Sequence, residues 1–104
     1  MENNEIKLFF GHLGADPVLA YTAKKQEPVC EMSLAVKDEK NETTWRKIVV
    51  FGKLAEMCKV HLKKGNEVFV RGRMRLNKYT GKDGEEKEAV DVLVHSVALE
   101  LMKL

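Results

Sequence analysis

The sequence of 104 residues lacks several features that mark particular classes of protein. No apolar run approaches the roughly 20 residues that a membrane-spanning helix needs. The opening segment MENNEIK is polar, which is not typical of a secretory signal peptide. Repeats and low-complexity segments are absent, and the balance of 44% hydrophobic and 33% charged residues is typical of a globular chain. We therefore expect one domain over residues 1–104, in the cytoplasm and without a membrane partner.

The sequence also has little that could bind a metal or perform catalysis. Its two cysteines, Cys30 and Cys58, form no Cys-x-x-Cys motif and have no histidine at metal-ligand spacing. Each lies on an apolar stripe, which favours a buried free thiol. The three histidines are scattered, and the Gly81–Gly84 segment is typical of a hairpin turn rather than of a phosphate-binding loop. We expect no enzyme activity, no catalytic residue, no metal and no cofactor.

Charge is nearly balanced over the whole chain but unevenly distributed along it. The net charge of +2 says little by itself about partners. Between Arg71 and Lys82, however, there are five cations and no acid, and four acids follow within the next six residues. A local basic strip can bind phosphates even when the whole chain is nearly neutral.

The hydrophobic pattern predicts an all-β chain with one helix. Strands are expected over residues 5–13, 28–37, 44–51, 66–76 and 88–101, with a turn at 14–17 and a short extended piece over 18–22. Over residues 53–64, apolar side chains recur with helical spacing. They are Leu54, Met57, Cys58 and Leu62. Three strands, a helix and two strands match the OB-fold, a five-stranded Greek-key barrel with its helix between strands 3 and 4.

The third predicted strand has two aromatic rings and a lysine on one face. Trp45, Lys47, Val49 and Phe51 alternate with the residues of the other face. Nucleic-acid bases stack on such rings with about 1–3 kcal/mol each, whatever the base, while a cation meets the phosphate. Trp45 could equally be a core residue, since tryptophans of small barrels are often buried.

The fourth predicted strand and the loop after it repeat this combination. Arg71, Arg73 and Arg75 share a face, and Lys78 and Tyr79 follow in the expected loop. The arginine edge could follow a phosphate backbone, although a charged run is more often a solvated face. The functional interpretation depends on aromatic and cationic residues coinciding at several places on one small fold.

The residues that carry these patterns resemble those of the bacterial single-stranded DNA-binding proteins, from about Glu5 to Leu104. The matching segments are GHLGADP at 11–17 with Tyr21-Thr22, TWRKIVVFGKLAE at 44–56, LKKG at 62–65, and Gly72…Arg75…Lys78-Tyr79. The resemblance implies an OB-fold that usually forms homotetramers, with a dimer as the alternative, and that binds single-stranded DNA. It implies base stacking on Trp45, Phe51 and Tyr79. The cations expected to meet phosphates are Lys7, Lys47, Lys53, Lys64, Arg71, Arg73, Arg75 and Lys78.

The sequence departs from the family pattern in two places. The predicted hairpin over 38–42 contains no aromatic residue where better-known relatives often have a tryptophan, so one stacking site is expected to be missing. The family's linker and acidic tip do not occur in this sequence, so recruitment of proteins through such a tail is not expected. An alternative function is an OB-fold accessory subunit, of the primosome type, that mainly binds proteins.

Overall fold

The computed structural model describes residues 6–99, with side chains for residues 6–98. Within this range the chain forms six strands and one helix. In order they are β1 (Ile6–Leu13), β2 (Val18–Tyr21), β3 (Pro28–Lys37), β4 (Thr43–Phe51), α1 (Lys53–His61), β5 (Glu67–Thr80) and β6 (Glu86–Leu99). The expected extension of the last strand to Leu101 lies outside the described residues, as does the expectation about an acidic tail.

The strands form one sheet that closes on itself. Their order is β1-β5-β6-β4-β3-β2, and β1 also pairs with β3 through His12 and Leu13. All pairings are antiparallel except a short parallel one between β4 and β6. This confirms the all-β barrel with one helix, which lies between the third and fourth long strands as predicted. The short β2 pairs with β3 and makes six strands instead of the expected five.

The barrel interior is filled by the inward-facing residues of the alternating strands. The largest fully buried side chains are mostly β-branched, as expected on a pleated sheet surface. They include Leu34, Ile48, Val50, Val68, Val70 and Val92. Helix α1 packs against this core through Ala55 and Cys58, and Leu62, which follows the helix, is also buried. Met57 was expected on the same apolar stripe but is 48% exposed.

A glycine makes the sharp change of direction between β4 and α1. Gly52 has a φ of 75°, in the left-handed region that side chains with a Cβ rarely adopt. Its amide donates to the Pro28 carbonyl at 2.9 Å, and its own carbonyl accepts from the Ala55 amide at 2.9 Å. The turn therefore holds Phe51 at the last position of the strand and Lys53 at the first position of the helix.

Strands β5 and β6 continue past the barrel as a two-stranded ribbon. The sequence predicted that the first of these strands ends at Leu76 and that Tyr79 lies in a loop. Instead, pairing continues to Thr80 opposite Glu86, and the Gly81 amide closes the loop on the Glu85 carbonyl at 2.9 Å. The prediction was wrong because both faces of the ribbon are exposed, so no apolar alternation marks these residues as a strand.

Both cysteines are buried, as predicted. Burial raises the pKa of the Cys30 thiol above its usual value and raises the pKa of Cys58 to about 11. Both thiols are therefore protonated at neutral pH, and a protonated thiol is a poor nucleophile and a poor metal ligand. In the part of the chain that the structure describes, no helix is long and apolar enough to cross a membrane.

Candidate nucleic-acid interface

The outward side of β4 exposes two aromatic rings. Trp45 is 61% exposed and Phe51 is 37% exposed, whereas Ile48 and Val50 on the inward side are fully buried. Large aromatic side chains are usually covered in a protein that has no partner for them. The alternative that Trp45 is a core residue is therefore wrong. The two rings are six residues apart, or about 20 Å along an extended strand.

The strand register places a third ring on the same side of the sheet. Lys47 lies opposite Asp91 of β6, and Asp91 lies opposite Arg75 of β5. Side chains two residues apart in a strand share a face, so Tyr79, four residues after Arg75, also shares it. Tyr79 is 50% exposed. We call this surface the aromatic face and define it by the outward side chains of Trp45, Lys47, Phe51, Arg73 and Tyr79.

The indole of Trp45 leans on the turn that follows β1. A methyl group added at Gly14 would lie 2.5 Å from Cζ3 and 2.7 Å from Cη2 of Trp45, so the ring edge occupies the space that a side chain would need. A cavity of about 380 Å³ opens beside the indole. Its lining includes Asp16, Val18, Glu31, Ser33, Trp45 and Lys47. The indole therefore forms one wall of a recess that is open to solvent.

The middle of the aromatic face is partly apolar. Val49 is only 4% exposed although it points away from the barrel core. Its neighbours across the strands are Glu31 and Leu93. Lys47 lies 3.5 Å from Glu31, with both side chains more than half exposed, so this ion pair leaves the ammonium accessible to another anion.

One of the predicted phosphate contacts is already occupied by an internal anion. Arg75 donates from Nε and Nη2 to the two carboxylate oxygens of Asp91, each at 2.9 Å, and Asn77 donates to Asp91 at 2.8 Å. Asp91 is only 5% exposed. A bidentate arginine–carboxylate pair uses the donors that would grip a phosphate. The structure therefore argues against a phosphate contact for Arg75 and gives it a role in holding β5 against β6.

The structure brings some of the other predicted cations together and separates the rest. Lys47 and Arg73 lie on the aromatic face. Lys53 directly follows the turn at Phe51, and the amide of Lys64 donates to Asp16 at 2.8 Å, close to the Trp45 recess. These four cations thus lie on the aromatic face or in segments next to Phe51 and the Trp45 recess.

The remaining predicted cations lie elsewhere on the molecule. Arg71 shares the outward side of β5 but lies opposite Leu8 of β1. The side chains of Lys7 and Lys78 point to the opposite side of the sheet from the aromatic face. Their predicted phosphate contacts would require the DNA strand to pass around the edge of the sheet.

Sequence reasoning missed two residues of this surface. Lys87 of β6 lies opposite Tyr79 and so adds a cation beside the third ring. No sequence pattern pointed to Lys87, because the register of the ribbon is set by pairing between two polar strands. Gly14 was noted only as part of a turn, and nothing in the sequence connects it with Trp45.

No metal centre accompanies this surface in the described part of the chain, where no three His, Cys, Asp or Glu side chains are grouped to hold an ion. The surface itself presents exposed rings together with ammonium and guanidinium groups on the outside of the barrel. Groups of these kinds are the ones with which proteins bind an extended strand of bases and phosphates.

Comparison with known proteins identifies the family. The model of the single-strand binding protein family matches residues 4–100. The chain belongs to this family. Its barrel is thus the OB-fold that the family implies.

The single-stranded DNA-binding protein of Xanthomonas axonopodis pv. citri is 36% identical over 100 residues, which cover 88% of this chain and 55% of that protein. The single-stranded DNA-binding protein of Neisseria meningitidis serogroup B is 35% identical, covering 88% of this chain and 57% of that protein. The chain thus spans little more than half the length of these relatives.

Proposed function

We propose that this chain binds single-stranded DNA with little sequence preference, by stacking bases on Trp45, Phe51 and Tyr79. The observation that carries the proposal is that three exposed rings share the aromatic face of one sheet. Stacking requires bases that are free of a complementary strand, so duplex DNA binds much more weakly. Binding of this kind protects the strand in replication, recombination or repair in the bacterial cytoplasm, and it needs no catalytic residue.

Phosphate contacts on the same surface supply the electrostatic part of the proposed binding. The cations that support it best are Lys47, Lys53, Lys64 and Arg73, with Lys87 as an addition. Each neutralised phosphate of a single strand releases counterions, so affinity falls as salt rises. This term makes binding insensitive to base identity, as stacking does.

Titration with oligo(dT) tests the proposal directly, because Trp45 is the only tryptophan of the chain. Stacking of a base on the indole quenches its emission, and anisotropy of a labelled oligonucleotide gives the affinity independently. We expect strong quenching by oligo(dT) and little by a duplex of equal length. Unchanged emission without binding by anisotropy would refute the proposal.

A matched aromatic control separates the aromatic face from exposed rings in general. Tyr21 is also exposed, at 53%. It lies two residues after Leu19, which packs against the core, so its side chain points to the opposite side of the sheet from the aromatic face. Tyr21→Ala should leave oligo(dT) affinity within about twofold, whereas Tyr79→Ala should weaken it about tenfold. Equal losses in the two variants would contradict the assignment of Tyr79.

We also propose that the protein self-associates through β1, as a homotetramer with a dimer as the alternative. The outward side chains of this strand are exposed and apolar: Ile6 is 45%, Leu8 67% and Phe10 42% exposed. Phe69 stacks on Phe10 with ring centroids 4.5 Å apart and extends the patch. Among described residues, β1 pairs with β3 only at His12 and Leu13, so most of that edge is open.

Light scattering at micromolar concentration tests this association. We expect a tetramer for the wild type and a lower oligomer for Leu8→Glu, because a charge placed in the apolar patch opposes burial. A wild-type monomer would refute self-association. If the protein in addition leaves oligo(dT) unbound, the apolar patch would instead favour the alternative of an accessory subunit that binds proteins.

A further inference from the structure

The contact between Trp45 and the turn after β1 suggests how one of the three rings is held in place. The turn is fixed from several sides by hydrogen bonds. The Gly14 amide donates to the Ser33 carbonyl at 3.0 Å, and the Lys64 amide donates to the Asp16 carboxylate at 2.8 Å. Lys59 donates from Nζ to the Pro17 carbonyl at 3.0 Å. These hydrogen bonds make the turn a rigid support for the indole of Trp45.

Only a glycine at position 14 leaves room for the indole on this support. An added methyl would approach two ring atoms to 2.5 and 2.7 Å, which is too close for a non-bonded contact. The ring is 61% exposed and its far edge makes this contact, so the indole can swing away. Because hydrogen bonds fix the turn, whereas the largely exposed ring has space to move, a side chain at position 14 displaces the ring.

The backbone of Gly14 does not itself require glycine. Its φ lies outside the left-handed region, in contrast to Gly52, Gly65 and Gly84. Gly11 offers a second contrast, because a methyl there would lie 2.1 Å from the Ala35 carbonyl oxygen, within the paired strands. Gly11→Ala must distort the barrel, whereas Gly14→Ala need only move a surface side chain.

We infer that Gly14 is a positioning residue for the stacking of DNA on Trp45. Its missing side chain lets the indole stand against the turn as the wall of the recess lined by Glu31 and Ser33. This orientation presents the ring to a base without the cost of fixing a mobile side chain on binding. The inference rests on the proposed function, and Gly14 need not touch DNA.

The first test measures the indole without DNA. Gly14→Ala should keep the unfolding midpoint close to that of the wild type, while acrylamide quenching of Trp45 increases and its emission shifts to longer wavelength. Gly81→Ala is the matched control, since its methyl would also meet a flexible side chain, Lys87 Cε at 2.8 Å. Its emission should equal that of the wild type. Unchanged emission in Gly14→Ala would overturn the inference.

The second test is a double-mutant cycle on oligo(dT) affinity, measured by anisotropy of a labelled strand. Gly14→Ala should weaken binding about tenfold in the wild type, within the range of one stacking contact. In the Trp45→Phe background it should cost less than about twofold, because phenylalanine lacks the outer ring atoms that meet position 14. An equal loss in both backgrounds, or no loss in the wild type, would overturn the inference. If the wild type itself does not bind, the proposed function fails instead.

Discussion

The two faces of β4 behave differently although their residues alternate along one strand. On the inward side, Ile48 and Val50 are fully buried, whereas on the outward side Trp45 and Phe51 are 61% and 37% exposed. The inward residues are β-branched and fill the barrel, and the outward ones end in flat rings. Stability and the proposed binding are thus assigned to opposite sides of a single strand.

The outward side of the sheet is nevertheless not simply a solvated surface. Val49 and Asp91 are both nearly inaccessible there, at 4% and 5% exposure. They form a packed floor between the rings, with Asp91 neutralising Arg75. Some outward residues therefore stabilise the fold, while their neighbours remain accessible to a ligand. Variants of each kind of residue test this division.

The largest effect is expected on the inward face. Ile48→Ala should lower the free energy of unfolding by about 2–5 kcal/mol, because it removes buried methyl groups and leaves a cavity in the barrel. Denaturant unfolding measures this loss. Oligo(dT) affinity of the folded fraction should stay within about twofold of the wild type. A stability loss below 1 kcal/mol would mean that the inward face is less tightly packed than the structure shows.

The packed floor of the outward face should affect stability rather than binding. Asp91→Ala removes the buried carboxylate that accepts from Arg75 and Asn77, and should cost about 1–3 kcal/mol of unfolding free energy. Arg75→Met is the companion variant, and the two losses should not add in the double variant, because both remove the same pair. Full additivity would show that the pair is not energetically coupled.

The exposed rings should affect binding rather than stability. Trp45→Ala and Phe51→Ala should each weaken oligo(dT) binding by about 1–3 kcal/mol, the value of one stacked base. Anisotropy of a labelled oligonucleotide measures the affinity and thermal unfolding checks the fold. If either variant unfolds at room temperature, that residue belongs to the structural face and the comparison between the two sides fails.

A smaller effect is expected from the cation between the rings. Lys47→Gln should reduce the slope of log K against log salt by about 0.7, the value for one phosphate contact on a single strand. Lys7→Gln is the matched control, because Lys7 is also an exposed lysine but lies on the other side of the sheet. A slope unchanged in Lys47→Gln, or reduced equally in both variants, would contradict the proposed phosphate contact.

The remaining effect concerns the core thiol and appears only at alkaline pH, so it is absent under the conditions of the other tests. Burial raises the pKa of Cys58 in the folded protein to about 11, against 9.0 for a solvated thiol. Above pH 9 the unfolded chain loses this proton while the folded one keeps it, so Cys58 contributes a decrease in stability as pH rises from about 9 to about 11. The unfolding free energy of Cys58→Ala should therefore fall less over this interval. Parallel pH profiles would contradict the assigned shift.

The barrel and much of its surface follow from the order of apolar and polar residues along the chain. Alternation of apolar residues is strong wherever one strand face is buried, so the strands within the barrel, the position of the helix and the burial of both cysteines were predicted correctly, whereas the continuation of β5 to Thr80 was not. The same alternation put Trp45, Lys47 and Phe51 on one side, because successive side chains of a strand point to opposite faces. Whether that side was outward was left open, since a lone tryptophan is compatible with either face.

How distant segments meet became visible only in the folded chain. The ribbon of β5 and β6, and with it the placing of Tyr79 on the aromatic face, depends on pairing between two polar strands that have no hydrophobic period. The pairing of Arg75 with Asp91 spans 16 residues, and β2 and β3 lie between Gly14 and Trp45 in the chain. A local pattern reports which way a side chain points from its own strand. Which partner it meets there is fixed by register and barrel closure, and these arise from the packing of the whole chain.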